Sequence, residues 1–281
     1  MHRSLIPNVT PPPPPGYTLH QLLPLDRLRE HVVAPDADIL VSRSVFSGSR
    51  EARRDESVLV LRDGAWRESA GGAWELDSPV SDEAWRAGDD VPFVETSIRV
   101  DDGPGFRSMF APAFYTVFDG DARKSFFNDN ALKFANTIVV YQIEAFGNWM
   151  EGYPACRVDP AHDIDQSALL INPHDMPAVV SVELEGAGEP RRVRVPAHSA
   201  RRYSFSAALG QDVPWSGQAL VWGPNRVNLF FLSHSHGDPA DVVTMEHSEV
   251  YRGERAFVPM LEQPMRRLYA WKRRVIDRAV R

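Results

Sequence analysis

Apolar and polar positions alternate in short runs along most of the chain, and this pattern predicts strands rather than helices. From Asp38 to about Gly120 the expected strands are Ile39–Phe46, Ser57–Arg62, Ala73–Asp77, Pro92–Val100 and Ala113–Phe118. Turn signals divide them: Asp63-Gly64, Gly71-Gly72, Asp102-Gly103-Pro104-Gly105 and Asp119-Gly120, each suited to positive or pre-set φ. A second set covers Phe134–Ile143, Ala155–Val158, Ser167–Ile171, Ala178–Glu185, Arg191–Val195, Arg201–Phe205, Gln218–Trp222, Asn225–His236 and Val242–Val250. Two of these contain near-continuous apolar runs, Thr137–Tyr141 and Val227–Leu232, which fit strands covered on both faces or the inner strands of a sandwich. Helical spacing occurs at the two ends only. Leu22, Leu25, Leu28 and Val32 predict a short helix that stops before Pro35, and Leu261, Met265, Leu268, Trp271, Val275 and Ala279 form one stripe of a terminal helix.

The expected fold is therefore all-β, an antiparallel β-sandwich built as one extended unit or two tandem units. Four segments follow: 1–35 as a proline-rich arm and short helix, 36–125 as an N-terminal β domain, 126–251 as a C-terminal β-sandwich, and 252–281 as a basic amphipathic helix. Pro11 to Pro15 predict a stiff polyproline II spacer or a surface-hugging arm, since proline fixes φ and donates no ladder hydrogen bond.

Composition narrows the classes. The 281 residues are 43% hydrophobic and 25% charged, enough for a real core. Net charge is −7, which argues against a general nucleic-acid surface. Cys156 is the only cysteine, so neither an intrachain disulfide framework nor a multi-cysteine metal site is available. No apolar run reaches a membrane-spanning length and the N-terminus lacks a signal-peptide core, so a soluble, cytoplasmic protein is expected. Residues 261–281 carry seven basic and two acidic side chains, net +5, which leaves −12 on the rest of the chain.

Candidate chemistry is sparse. His234 and His236 share one side of a strand, and Glu246 or His247 on a returning strand would complete a zinc or non-haem iron site. The hairpin spacing works against that set, because it places Glu246 and His247 near residue 231. Asp159, His162, Asp163 and Asp165 read as a solvated acidic loop, and Asn128-Asp129-Asn130 as a turn or helix cap. No Gly-x-Ser-x-Gly elbow occurs, Ser216 reads as a turn residue, and Cys156 reads as a small buried side chain. Trp149 and Tyr153, with Asn148 and Glu151, lie in a loop-like stretch of the type that stacks on sugars, although such rings more often plug the end of a core. Trp66, Trp74 and Trp85 carry the same two readings. Arg266, Arg267, Lys272, Arg273 and Arg274 would let the terminal helix meet an anionic surface or this protein's own acidic body.

Three stretches taken together add a resemblance: Ser167–Glu185 (SALLINPHDMPAVVSVELE), Arg191–Phe205 (RRVRVPAHSARRYSF) and Ala219–Val243 (ALVWGPNRVNLFFLSHSHGDPADVV). A strand with an Asn-containing turn, a Val-Pro-Ala turn feeding a hairpin, and a long apolar strand ending in a polar turn follow in the order seen in the small soluble transducer proteins of sensory rhodopsins. What the resemblance implies is an antiparallel sandwich that assembles into oligomers and binds a partner rather than catalysing a reaction. The first 125 residues and the terminal helix have no counterpart in that family.

Three functions compete on these grounds. The favoured one is a non-catalytic binding or assembly module without a cofactor, homo-oligomeric, taking a carbohydrate-like or protein ligand. The second is a metal-dependent enzyme at His234 and His236. The third is a peripheral adaptor on anionic surfaces, with membrane-surface contact but no transmembrane segment and no specific nucleic acid.

Overall fold

A computed structural model describes residues 4–5, 8–22, 38–47, 50–62, 65–68, 73–89, 91–100, 110–120, 125–135, 148–173, 177–210, 212–224 and 227–247. The expected helix at 22–32, apart from Leu22, the run Thr137–Tyr141 and the segment 252–281 lie outside these residues.

The first ten strands are β1 (Ser4–Leu5), β2 (Asn8–Thr10), β3 (Thr18–Leu22), β4 (Ile39–Ser47), β5 (Arg50–Arg62), β6 (Ala65–Glu68), β7 (Ala73–Asp77), β8 (Phe93–Val100), β9 (Phe110–Asp119) and β10 (Ser125–Ala135). Eight more follow: β11 (Asn148–Val158), β12 (Asp165–Asn172), β13 (Ala178–Leu184), β14 (Arg191–Val195), β15 (Ser199–Ser204), β16 (Trp215–Pro224), β17 (Asn228–Ser235) and β18 (Asp238–His247). Among the described residues two short α-helices, α1 (Asp82–Ala87) and α2 (Phe205–Leu209), interrupt them. All described strand pairings are antiparallel. The chain is an antiparallel all-β protein.

Strands β1 to β10 form one sheet in the order β6-β5-β4-β8-β1-β10-β9-β3-β7, with β2 also on β8. The others form two four-stranded sheets, β11-β16-β13-β14 and β15-β12-β17-β18. Alternation explains the first sheet: Ile39, Val41 and Val45 of β4 are buried, and Val41 and Val45 stand opposite the buried Ile98 and Val94 of β8.

Strands β12 and β17 bury both faces, as the unbroken apolar run in 227–232 predicts. Ala168, Leu170, Leu229 and Phe231 share a core with Val180, Val182, Val221 and Phe205, so it draws on both four-stranded sheets. Leu169, Ile171, Phe230 and Leu232 point the other way, into a core with Leu19, Trp85, Val94 and Phe118 of the N-terminal half. The two halves are therefore tied by apolar packing. Polar contacts reinforce it: Tyr17 Oη donates to the Val242 carbonyl at 2.6 Å, and Trp85 Nε1 to the Pro239 carbonyl at 2.7 Å.

Two expectations change. Pro11 to Pro14 are buried, and Ser78 Oγ donates to the Pro13 carbonyl at 2.9 Å, so the proline run packs into the N-terminal half rather than acting as a free spacer. Asn128-Asp129-Asn130 lies inside β10, paired with Thr116, Tyr115 and Phe114, because ladder pairing outweighs the turn preference of these residues. β10 carries the first sheet to Ala135.

Candidate functional site

The histidine pair sits where β17 ends. Its strand register sets Asp165 opposite His234, Glu246 opposite Phe231 and His247 opposite Phe230. Glu246 is exposed, and neither it nor His247 lies near the turn that carries His236. His234 is 3% exposed, and both ring nitrogens have partners: Nε2 is 3.2 Å from Ser167 Oγ and Nδ1 is 3.0 Å from the Ser235 carbonyl. Burial lowers its pKa, and the Ser235 carbonyl and Asp165 oppose that only in part. The backbone N–H of His236 donates to Asp163 Oδ1 at 2.9 Å, while its ring nitrogens stand 3.4 Å from Asp212 and 3.8 Å from Asp165. Among the described residues no three His, Cys, Asp or Glu side chains form a group able to hold a metal ion.

Asp165 overturns the solvated-loop expectation for its own position. It opens β12, is buried, and accepts from the Ser206 hydroxyl and from the Gln166 backbone N–H. Asp159 is buried too, with Arg157 and His162 on its Oδ2. Ser167 and His234 make a hydroxyl–imidazole contact, but Ser167 is fully buried, so no substrate carbonyl can reach its oxygen in this conformation. Cys156 is likewise buried, and burial pushes its thiol pKa up to about 12 despite a backbone hydrogen bond at Ala219.

The aromatic candidates divide. Asn148, Trp149, Glu151 and Tyr153 lie on β11, paired with Pro224, Gly223, Val221 and Ala219 of β16; the stretch is strand, not loop. Ser216, read as a turn residue, pairs with Arg157 inside β16. Trp85 is fully buried in the core, and Trp74 packs partly against it. Arg266, Arg267, Lys272, Arg273 and Arg274 fall outside the described residues. No described helix is long and apolar enough to cross a membrane.

A different surface is open. The edge strand β14 and the edge strand β15 are joined by the turn at 196–198, and between them lies a groove of about 430 Å³ lined by Pro177, Arg194, Pro196, Ala197 and Arg201. Alternation along β14 places Val195 inward and leaves Arg192 and Arg194 exposed. Arg194 pairs in register with Val179, itself 53% exposed. Asp89 approaches Arg201 at 3.4 Å. Residues 191–202 contain five arginines and no Asp or Glu, inside a chain of net charge −7. That local excess was the available signal. It went unread because strand spacing alone does not show that Pro177, Arg194 and Arg201 meet.

The sequence matches no protein-family model, and no curated protein is detectably similar to it.

Proposed function

We propose that this protein is a non-catalytic binding module that takes an acidic segment of a partner protein in the groove between β14 and β15. The observation that carries this reading is the pair Arg194 and Arg201 across an open groove, in a stretch of five arginines that itself contains no Asp or Glu and meets Asp89 at Arg201. Guanidinium groups match carboxylates in a planar, two-point geometry, and the size of the groove lies within the range of ordinary ligand sites. A protein ligand fits better than a sugar, because no aromatic ring stands among the described residues that line the groove.

In this reading the two four-stranded sheets are a β-sandwich, and their shared core holds the two edge strands at a fixed separation. The resemblance of residues 167–243 to sensory rhodopsin transducers agrees with a sandwich that binds and assembles. Homo-oligomerisation through the sandwich faces and the terminal helix, and a cytoplasmic site of action where Cys156 stays a thiol, belong to the same proposal. The test is a fluorescence-anisotropy titration with labelled polyglutamate and polylysine. Binding of polyglutamate alone, weakening as salt rises, supports the groove; equal binding of both, or of neither, rejects it.

A further inference from the structure

Strand β14 ends its sheet, and hydrogen-bond alternation decides which of its backbone groups face outward. The Glu185 N–H donates to the Gln218 carbonyl at 2.9 Å, directly opposite in the β13–β16 register, so this is a hydrogen-bonded pair. Such pairs alternate along a strand. Ser181 and Glu183 therefore turn their backbone groups to β16, and Val180 and Val182 turn theirs to β14. Val180 stands opposite Val193 and Val182 opposite Arg191, so Arg191, Val193 and Val195 bond back to β13. Arg192 and Arg194 turn their N–H and C=O groups to the free edge, where no backbone group among the described residues meets them.

The same two residues carry exposed side chains. Both lie on the outer face with Ser181 and Val179, while Val193 between them packs against the core shared by the two four-stranded sheets. The facing edge strand β15 differs, because Val91 and Gly88 already bond to its backbone at Ala200 and Arg202. Pro190 and Pro196 bound the open stretch of β14. Charge decides what can fill it. A second copy of β14 pairing there would set arginine opposite arginine, and like charges across a ladder repel. An acidic strand meets the same edge with attraction.

We infer that β14 takes its partner by strand addition: an extended, antiparallel segment joins the Arg192–Arg194 edge and reads acidic, apolar, acidic at three successive positions. The two carboxylates stand opposite Arg192 and Arg194, and the apolar side chain between them lies on the inner side beside Val193. Arg194 also lines the groove, so the added strand follows it. This inference rests on the proposed function and adds the conformation and residue spacing of the partner. Main-chain pairing gives affinity, and alternate side chains give choice.

The test titrates the full chain with two dye-labelled peptides of one composition and charge, Thr-Glu-Val-Glu-Thr and Thr-Glu-Glu-Val-Thr, followed by fluorescence anisotropy. The alternating peptide should bind about tenfold more tightly than its isomer. N-methylation of its two glutamates, whose N–H groups meet β14, should remove that advantage, and N-methylation of its valine should leave it. Hydrogen exchange should slow at the Arg192 and Arg194 amides when the alternating peptide is added. Equal binding of the two isomers, or an advantage that survives methylated glutamates, overturns strand addition and leaves a groove that reads charge alone. Binding of polyglutamate with neither peptide also overturns it, whereas failure of all three ligands rejects the proposed function as well.

Discussion

The backbone N–H of Arg202 donates to the carbonyl of Gly88 at 2.8 Å, and a Cβ on Gly88 would come within 3.2 Å of the Arg202 carbonyl oxygen. This contact holds the C-terminal end of α1 against the outer edge of β15. Val91 completes it by donating its N–H to the Ala200 carbonyl at 3.0 Å, and Arg202 Nη2 reaches back to the Arg86 carbonyl at 2.6 Å. An edge strand covered in this way offers fewer unpaired backbone groups to other chains. Gly88 has φ +73°, so both backbone conformation and space demand glycine. Gly88→Ala is expected to destabilise the protein by about 1–3 kcal/mol. Urea unfolding measures this directly, and an unchanged midpoint would show that the clasp is not needed.

Tyr17 and Trp85 bind the N-terminal half to β18 through two carbonyls, at Val242 and Pro239. Tyr17→Phe keeps the ring and strands the buried Val242 carbonyl, at a cost of about 1–3 kcal/mol. Trp85→Phe adds a cavity to the lost hydrogen bond and should cost more, because the indole is fully buried. Both losses should appear as earlier proteolysis of the junction as well as a lower unfolding midpoint. A variant that unfolds like the wild type would mean the halves are held by apolar packing alone.

The buried His234 and the half-buried Glu95 give opposite pH dependences. His234 is kept neutral by burial. As pH falls below its ordinary value of 6.5, the unfolded chain binds a proton that the folded chain refuses, so stability present above that value is lost. Glu95 has its pKa raised to about 7 by burial and by Glu51, with Arg54 opposing. Between 4.5 and about 7 the folded chain keeps a proton the unfolded chain has released, so this group's contribution falls as pH rises. Glu95→Gln should therefore be more stable than the wild type at about pH 8, by on the order of 1–3 kcal/mol, and indistinguishable at about pH 4. His234→Gln should flatten the loss of stability on the acid side. The check is chemical denaturation across pH, and parallel curves for variant and wild type would contradict both assignments.

Both ring nitrogens of His234 are engaged, and the register keeps Glu246 and His247 away from His236. Elemental analysis of the purified native protein should accordingly show zinc and iron well below one per chain, unchanged in His234→Ala. One equivalent of metal, lost in that variant, would move this end of β17 from a structural to a chemical role.

The sequence made strands legible wherever alternation or an apolar run was complete. Ala73–Asp77 and Arg191–Val195 keep the bounds their patterns imply, and the apolar run in 227–232 shows its burial on two faces. Short elements were missed for the same reason. β1 to β3 are too brief to show a period beside the prolines, and α1 and α2 declare themselves only by caps: Ser81 and Gly88 at one, Ser204 and Gly210 at the other. The candidate sites were less legible than the fold. His234 and His236 were visible as a pair, but the partners that engage them, Ser167, Asp165 and Asp212, come from other strands and turns.

The groove between β14 and β15 is tested most directly by charge reversal. Arg194→Glu combined with Arg201→Glu leaves the core untouched, since neither side chain belongs to it. In a polyglutamate anisotropy titration at low salt, the double variant should bind at least about tenfold more weakly than the wild type, with an unfolding midpoint lowered only by the loss of the half-exposed Asp89–Arg201 pair. Equal affinity in the two proteins would contradict the groove as the binding surface.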